Sequence, residues 1–214
     1  MPVNSCQITH ALRQKWPEAI RSLTDQSDRF FAAGRVELDA LFPSGRGIPY
    51  GQLIEITGGV SSGKTSLLFC LLAANSHTTA AYVDFGNSFF PDAAGAVGLD
   101  LSRLLVIKPT SAQLKPGLRS GELLLRDHHA DIIVFDLAGW RQPLPIGLLH
   151  RLRLKTVRAK GLVIFLTQAA DIIPASMTSL RLEVQRSSDR PHHLLVTVTK
   201  SRLCAEGLQC RVQL

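Results

Sequence analysis

Short apolar runs recur along most of the chain, with amphipathic or polar stretches between them. The runs at 53–56, Ala80–Asp84, Leu104–Ile107, 130–136, Leu162–Thr167 and 194–199 are too short for buried helices and predict strands. Most do not alternate apolar with polar positions, which marks strands buried on both faces. A further strand-like segment spans 180–184, and 209–214 predicts an edge hairpin strand. Helical patterns fill the gaps at 66–74, 91–98, 117–126 and 147–160. Helices that alternate with buried strands predict an α/β fold, a mainly parallel central sheet with helices on both faces. Residues 1–33 read as an N-terminal helical arm ahead of a core at 34–214. In the arm, Ile8, Leu12 and Trp16 follow i, i+4 spacing, Pro17 interrupts, and Ala19, Ile20 and Leu23 continue the stripe. Its partner would be its own core or a neighbouring subunit.

The helix at 147–160 is unusual in charge. Leu148, Leu149, Leu152 and Val157 are expected on one face, while Arg151, Arg153, Lys155, Arg158 and Lys160 crowd the rest. Between 137 and 161 there are six Lys or Arg and no Asp or Glu. Two readings stand: a solvated helix face, or a surface that contacts the phosphates of single-stranded DNA. Trp140 is the one aromatic of the stretch, so it lacks the interleaved rings of a base-stacking platform.

Composition narrows the class. The chain has 214 residues, 45% of them apolar, which suits one sizeable globular core. A net charge of +7 and a pI near 9.6 favour an anionic partner. Cys6, Cys70, Cys204 and Cys210 are scattered, so neither a zinc site nor a disulfide framework is indicated, and a reducing, cytoplasmic setting is expected. Cys70 reads as a small core residue. The first twenty residues mix Asn4, His10, Arg13, Lys15 and Glu18, unlike a signal peptide. No apolar run approaches the roughly 18–20 residues that span a bilayer.

The candidate chemistry begins where the run at 53–56 ends. Gly58-Gly59-Val60-Ser61-Ser62-Gly63-Lys64-Thr65 fits G-x-x-x-x-G-K-[ST] at every fixed position, with a strand before it and a helix after it. Glycines allow backbone N–H groups to turn inward around phosphate oxygens. The following helix points its positive end at the same anion. Residues 58–66, through Ser66, form the candidate cradle; Lys64 can reach the β/γ-phosphates and the Thr65 hydroxyl can hold Mg²⁺. A second acid is expected at Asp136, where the run at 130–136 emerges beside this loop and can coordinate the same ion.

The order of these segments resembles the RecA recombinase family over about residues 34–205. Leu38-Asp39, the Gly47-Ile48-Pro49-x-Gly51 turn, Glu55-Ile56-x-Gly58 and the phosphate loop carry it, followed by VDF, Gly98-Leu99-Asp100, IIVFD, VIFLTQ and VTKSR. The resemblance implies a RecA-like P-loop core that binds ATP and Mg²⁺. It implies that Gln168 senses the γ-phosphate, and that Lys200 and Arg202 reach the ATP of a neighbouring subunit in a homo-oligomer. Two departures stand out. Gly86 occupies the position of the family's water-activating glutamate, and Asp84, two residues earlier, is expected to have the wrong geometry to replace it. The loops after Asp136 and Gln168 are short. A shortened core of this kind resembles the RecA-related accessory proteins of the ImuA type, which work in damage-induced translesion synthesis with an error-prone polymerase. The resemblance therefore implies slow or absent hydrolysis and action through a polymerase or recombinase partner. A DNA-stimulated recombinase-type ATPase, a recombination mediator and a nucleotide-gated module with no DNA role are the alternatives.

Overall fold

A computed structural model describes residues 29–109 and 114–213. The apolar runs become β3 (Gln52–Thr57), β4 (Ala80–Asp84), β5 (Leu104–Ile107), β6 (Ile132–Asp136), β7 (Leu162–Thr167), β8 (Leu180–Arg186), β9 (His193–Ser201) and β10 (Gln209–Gln213). They form one sheet in the order β10-β9-β8-β3-β7-β6-β4-β5. From β8 to β5 every neighbouring pair is parallel; β9 and β10 close the other edge in antiparallel register. The central strands β3, β4, β6 and β7 are buried at every residue, as runs without polar alternation require.

Helices cover both faces. On one side α2 (Lys64–Ala74) and α3 (Pro91–Ala96), which follow the four-residue helix α1 (Val36–Asp39), belong to a core built on Ile54, Ile56, Tyr82, Val134 and Ile164. On the other, α4 (Leu114–Arg126) and α5 (Ile146–Ala159) pack on Leu53, Val83, Ile133, Phe135 and Phe165. The alternate residues of each strand thus feed two separate cores.

Two expectations change. The core reaches back into the segment assigned to the arm, because β1 (Phe30–Phe31) pairs with β2 (Ile48–Pro49) and Arg29 bonds Asp131 at 3.0 Å. The arm's Ile8, Leu12, Trp16, Pro17, Ala19, Ile20 and Leu23 lie outside the described residues, as does Cys6. In α5 the core positions are Leu149, Leu152 and Thr156, whereas Val157 is 54% exposed. The i, i+3, i+7 series selects Thr156, whose hydroxyl satisfies itself by donating to the Leu152 carbonyl at 2.8 Å. Among the described residues no helix is long and apolar enough to cross a membrane.

Candidate functional site

The phosphate loop sits between the end of β3 and the start of α2, and its shape is fixed by strands distant in sequence. Gly63 caps the helix at φ +91°, a conformation that favours glycine, and a Cβ there would lie 2.5 Å from a methyl carbon of Leu194. A Cβ on Gly58 would lie 2.5 Å from the Val184 carbonyl oxygen. Arg186 donates to the Ser61 carbonyl at 2.8 Å. The ends of β8 and β9 therefore buttress the loop. Leu194 and Arg186 were not singled out from sequence, since nothing local links them to residues 58–63.

The loop fits an anion. Lys64 is buried and donates to the Gly59 carbonyl at 3.1 Å, which leaves two of its three donor positions free of described partners. Burial pushes its ammonium below the usual lysine range, and the Asp136 carboxylate opposes that shift. An anion in the loop would offset the cost of this buried cation. Ser62 Oγ is buried with no hydrogen-bond partner among the described residues. Gly59 faces open space, and Val60 is 80% exposed. Thr65 and Ser66 are half-buried on the first turn of α2.

Asp136 ends β6 two strands from the loop, with β7 between them. Its carboxylate accepts from the Tyr82 hydroxyl, from Ser88 Oγ at 2.8 Å and from the Ala138 N–H at 2.9 Å. Burial and Asp136 together push the Tyr82 phenol far up, so it remains a donor. Gln168 follows the last residue of β7, the strand between β3 and β6; the neighbouring Thr167 carbonyl accepts from Gly58 N–H at 3.3 Å. The fold thus brings Lys64, Thr65, Asp136 and Gln168 to the carboxyl ends of the central strands β3, β7 and β6. Among the described residues no group of three or more His, Cys, Asp or Glu could hold a metal, so an ion at Thr65 and Asp136 would complete its shell with phosphate oxygens and water.

Asp84 lies beside Asp136 in register. Both its oxygens are already engaged, accepting from the N–H groups of Ser88 and Phe89 at 2.9 Å each. It holds the loop that contains Gly86, and that loop packs on Ala138.

Lys200 and Arg202 are not with this group. β9 runs antiparallel, so its first residues touch the phosphate loop and Lys200 lies six residues further on, roughly 20 Å along the strand. Both side chains turn onto their own chain: Lys200 donates to the Thr178 carbonyl and Arg202 to the Ser176 carbonyl at 2.7 Å. The basic helix is also partly engaged. Arg151 at 2.8 Å, Lys155 at 3.1 Å and Arg119 at 3.1 Å all bond the buried carboxylate of Glu122. Arg153, Arg158 and Lys160 have no such partner among the described residues.

Sequence reading missed a second charged cluster. Glu55, fully buried in β3, accepts from Thr167 at 2.7 Å and from Arg181 at 2.6 Å, and Arg181 also donates to the Ile173 carbonyl at 2.6 Å. The signal was present: a charge inside an all-buried strand requires a partner.

Comparison with known proteins gives a consistent picture. Residues 15–143 match the family described as the RecA N-terminal domain. Protein RecA of Pseudomonas fluorescens (strain Pf0-1) is 30% identical over 179 residues, 73% of this chain and 50% of that protein. Protein RecA of Saccharopolyspora erythraea is 35% identical over 105 residues, 48% of this chain and 30% of that protein. The chain spans at most half the length of these curated relatives. A crystal structure of the RadB recombinase superposes with a TM-score of 0.69 at 20% identity, over 86% of this chain and 96% of that one, which shows a shared fold.

Proposed function

Since this chain belongs to the RecA family, we propose that it is a RecA-like ATP-binding accessory protein in DNA repair and damage tolerance, acting in translesion synthesis. In this reading residues 58–66 cradle the phosphates of ATP. Lys64 meets the β/γ-phosphates, Thr65 and Asp136 hold Mg²⁺, and Gln168 reports on the γ-phosphate. The bound ion would neutralise charge on the transferred phosphoryl group. Hydrolysis is slow or absent, and the protein acts through a polymerase or recombinase partner in the cytoplasm.

One observation supports this reading: the phosphate loop is intact, while among the described residues the two positions considered for activating water, Gly86 and Asp84, are a residue with no side chain and an acid held by its own loop. Gly86 has no side chain, and the Asp84 carboxylate is oriented onto its own loop, each oxygen accepting from a backbone N–H, of Ser88 and of Phe89. The test is steady-state ATP hydrolysis with and without single-stranded DNA, against Lys64→Ala. A rate equal to that of Lys64→Ala, together with ATP binding that only the unsubstituted chain shows, is expected. A DNA-stimulated rate abolished by Lys64→Ala would overturn it.

A second reading, a recombinase-type ATPase that assembles on single-stranded DNA, is favoured by Lys200 and Arg202. These cations sit far from their own phosphate loop and would meet a nucleotide only in a stacked homo-oligomer. Direct DNA contact would then fall to Arg153, Arg158 and Lys160. Light scattering with Mg-ATP and DNA separates the readings, since a monomer throughout removes the second.

A further inference from the structure

The outward face of α5 carries an exposed apolar stripe. Ile146, Leu154 and Val157 are 59%, 48% and 54% exposed. At about 100° per residue, these three and His150 fall within a sector of roughly 80°. Arg153 borders the sector on one side and Arg158 on the other. Single exposed apolar residues are ordinary, but three aligned on one helical face between arginines form a surface.

We infer that this face docks an acidic amphipathic helix of a partner protein. This rests on the reading that the chain acts through protein partners, and it supplies the surface and the chemistry. Charge decides the occupant. No acid lies between 137 and 161, and Glu122, the carboxylate that α5 does engage, is already shared by Arg119, Arg151 and Lys155. Among the described residues Arg153 and Arg158 therefore have no carboxylate partner at the rim of an apolar strip. A second copy docked through the same face would set arginines against arginines, which a two-fold contact cannot avoid. A nucleic acid would leave Ile146, Leu154 and Val157 without a role, because aliphatic side chains offer no stacking platform. A helix with apolar anchors at i, i+4 and i+7 and carboxylates along both borders satisfies every part. The face lies on the sheet side opposite α2, so a docked helix leaves the phosphate loop open.

The test uses fluorescence anisotropy with labelled helical peptides of about five turns. One carries a leucine stripe bordered by glutamates. A second replaces the glutamates with lysines, a third replaces the leucines with alanines, and a labelled oligo-dT serves as the nucleic-acid probe. Binding of the first peptide alone is expected. Leu154→Ala with Val157→Ala should weaken it about tenfold or more, as should Arg153→Glu with Arg158→Glu. Both pairs alter exposed or half-exposed positions, and circular dichroism checks that each variant is folded. The inference is overturned if the acidic peptide does not bind, or if neither pair weakens it. It is also overturned if oligo-dT binding is lost with the arginine pair alone, or if light scattering finds a dimer that the apolar pair dissolves. None of these readings depends on ATP, so failure here is distinct from failure of nucleotide binding.

Discussion

A Cβ added to Gly86 would lie 2.9 Å from the Cβ of Ala138 and 3.0 Å from its carbonyl oxygen. The loop after β4 and the loop after β6 therefore meet with no room for a side chain. The absence of a side chain at this position is built into the packing around it. Gly86→Glu alone should leave ATP turnover unchanged and lower stability by roughly 1–3 kcal/mol, the usual cost of overpacking. Gly86→Glu with Ala138→Gly removes the side-chain conflict. If the remainder of the site is sound, turnover in this double variant should rise by at least tenfold, since a positioned base typically contributes about 10²–10⁴. Turnover assays and thermal melts of the two variants check both halves. A single variant that gains activity without loss of stability would contradict the packing argument.

The Glu55–Arg181 pair joins the strand leading into the phosphate loop to the segment that follows Gln168. Burial pushes the Glu55 carboxyl up, while Thr167 and Arg181 pull it back. Arg181→Met would leave a buried acid with one hydroxyl for company and should cost about 3–5 kcal/mol in urea unfolding. Glu55→Met with Arg181→Met should recover most of that loss, because a matched apolar pair leaves no orphan charge. Additive costs would show that the two residues act independently.

Glu122 makes a different kind of cluster. Burial pushes its carboxyl up, but bonds from Arg151, Lys155 and Arg119 outweigh burial and hold it below the ordinary range. A carboxyl depressed in the folded state stabilises the fold above its unfolded pKa, about 4.3, and loses that contribution as pH falls through the folded value. Glu122→Gln should therefore cost roughly 2 kcal/mol at neutral pH, and the difference from the unsubstituted chain should shrink below about pH 4. Urea midpoints measured across that range decide it. A difference independent of pH would mean that the charge on Glu122 does not matter.

What was legible in the sequence follows from which forces are local. Buried strands and the phosphate loop could be read because each is written in a few consecutive residues, as in Leu162–Thr167 and Gly58–Thr65. Asp136 was legible as a strand-end acid. Its fixing by Tyr82 and Ser88 was not, because strand order determines that meeting. The clamp of Arg186 on Ser61 and the contact of Leu194 with Gly63 span more than 120 residues and left no local trace. Val157 was misread because an apolar residue near a helical stripe looks like core, whereas Thr156 holds the true phase.

In this chain Lys200 and Arg202 are both folded onto the segment that leads into β8, at the Thr178 and Ser176 carbonyls. Burial lowers the Lys200 ammonium to about 8, and the nearby charges of Arg202 and Arg181 push the same way. A lysine depressed in the folded state sheds its proton before the unfolded chain does. Between about pH 8 and the unfolded value near 10.4, the unfolded state binds more protons, so stability rises with pH through that window. The rise should be absent in Lys200→Met, and both chains should run parallel below about pH 7.5. A ¹³Cε titration of Lys200 should show a midpoint near 8. Arg202→Ala removes a like charge and should move that midpoint upward. If subunits stack on ATP, Lys200 must leave Thr178 for a phosphate, and the midpoint should climb toward the ordinary lysine range when Mg-ATP is added. A midpoint that Mg-ATP leaves unmoved would keep Lys200 as a local clamp and remove it from the nucleotide of any neighbour.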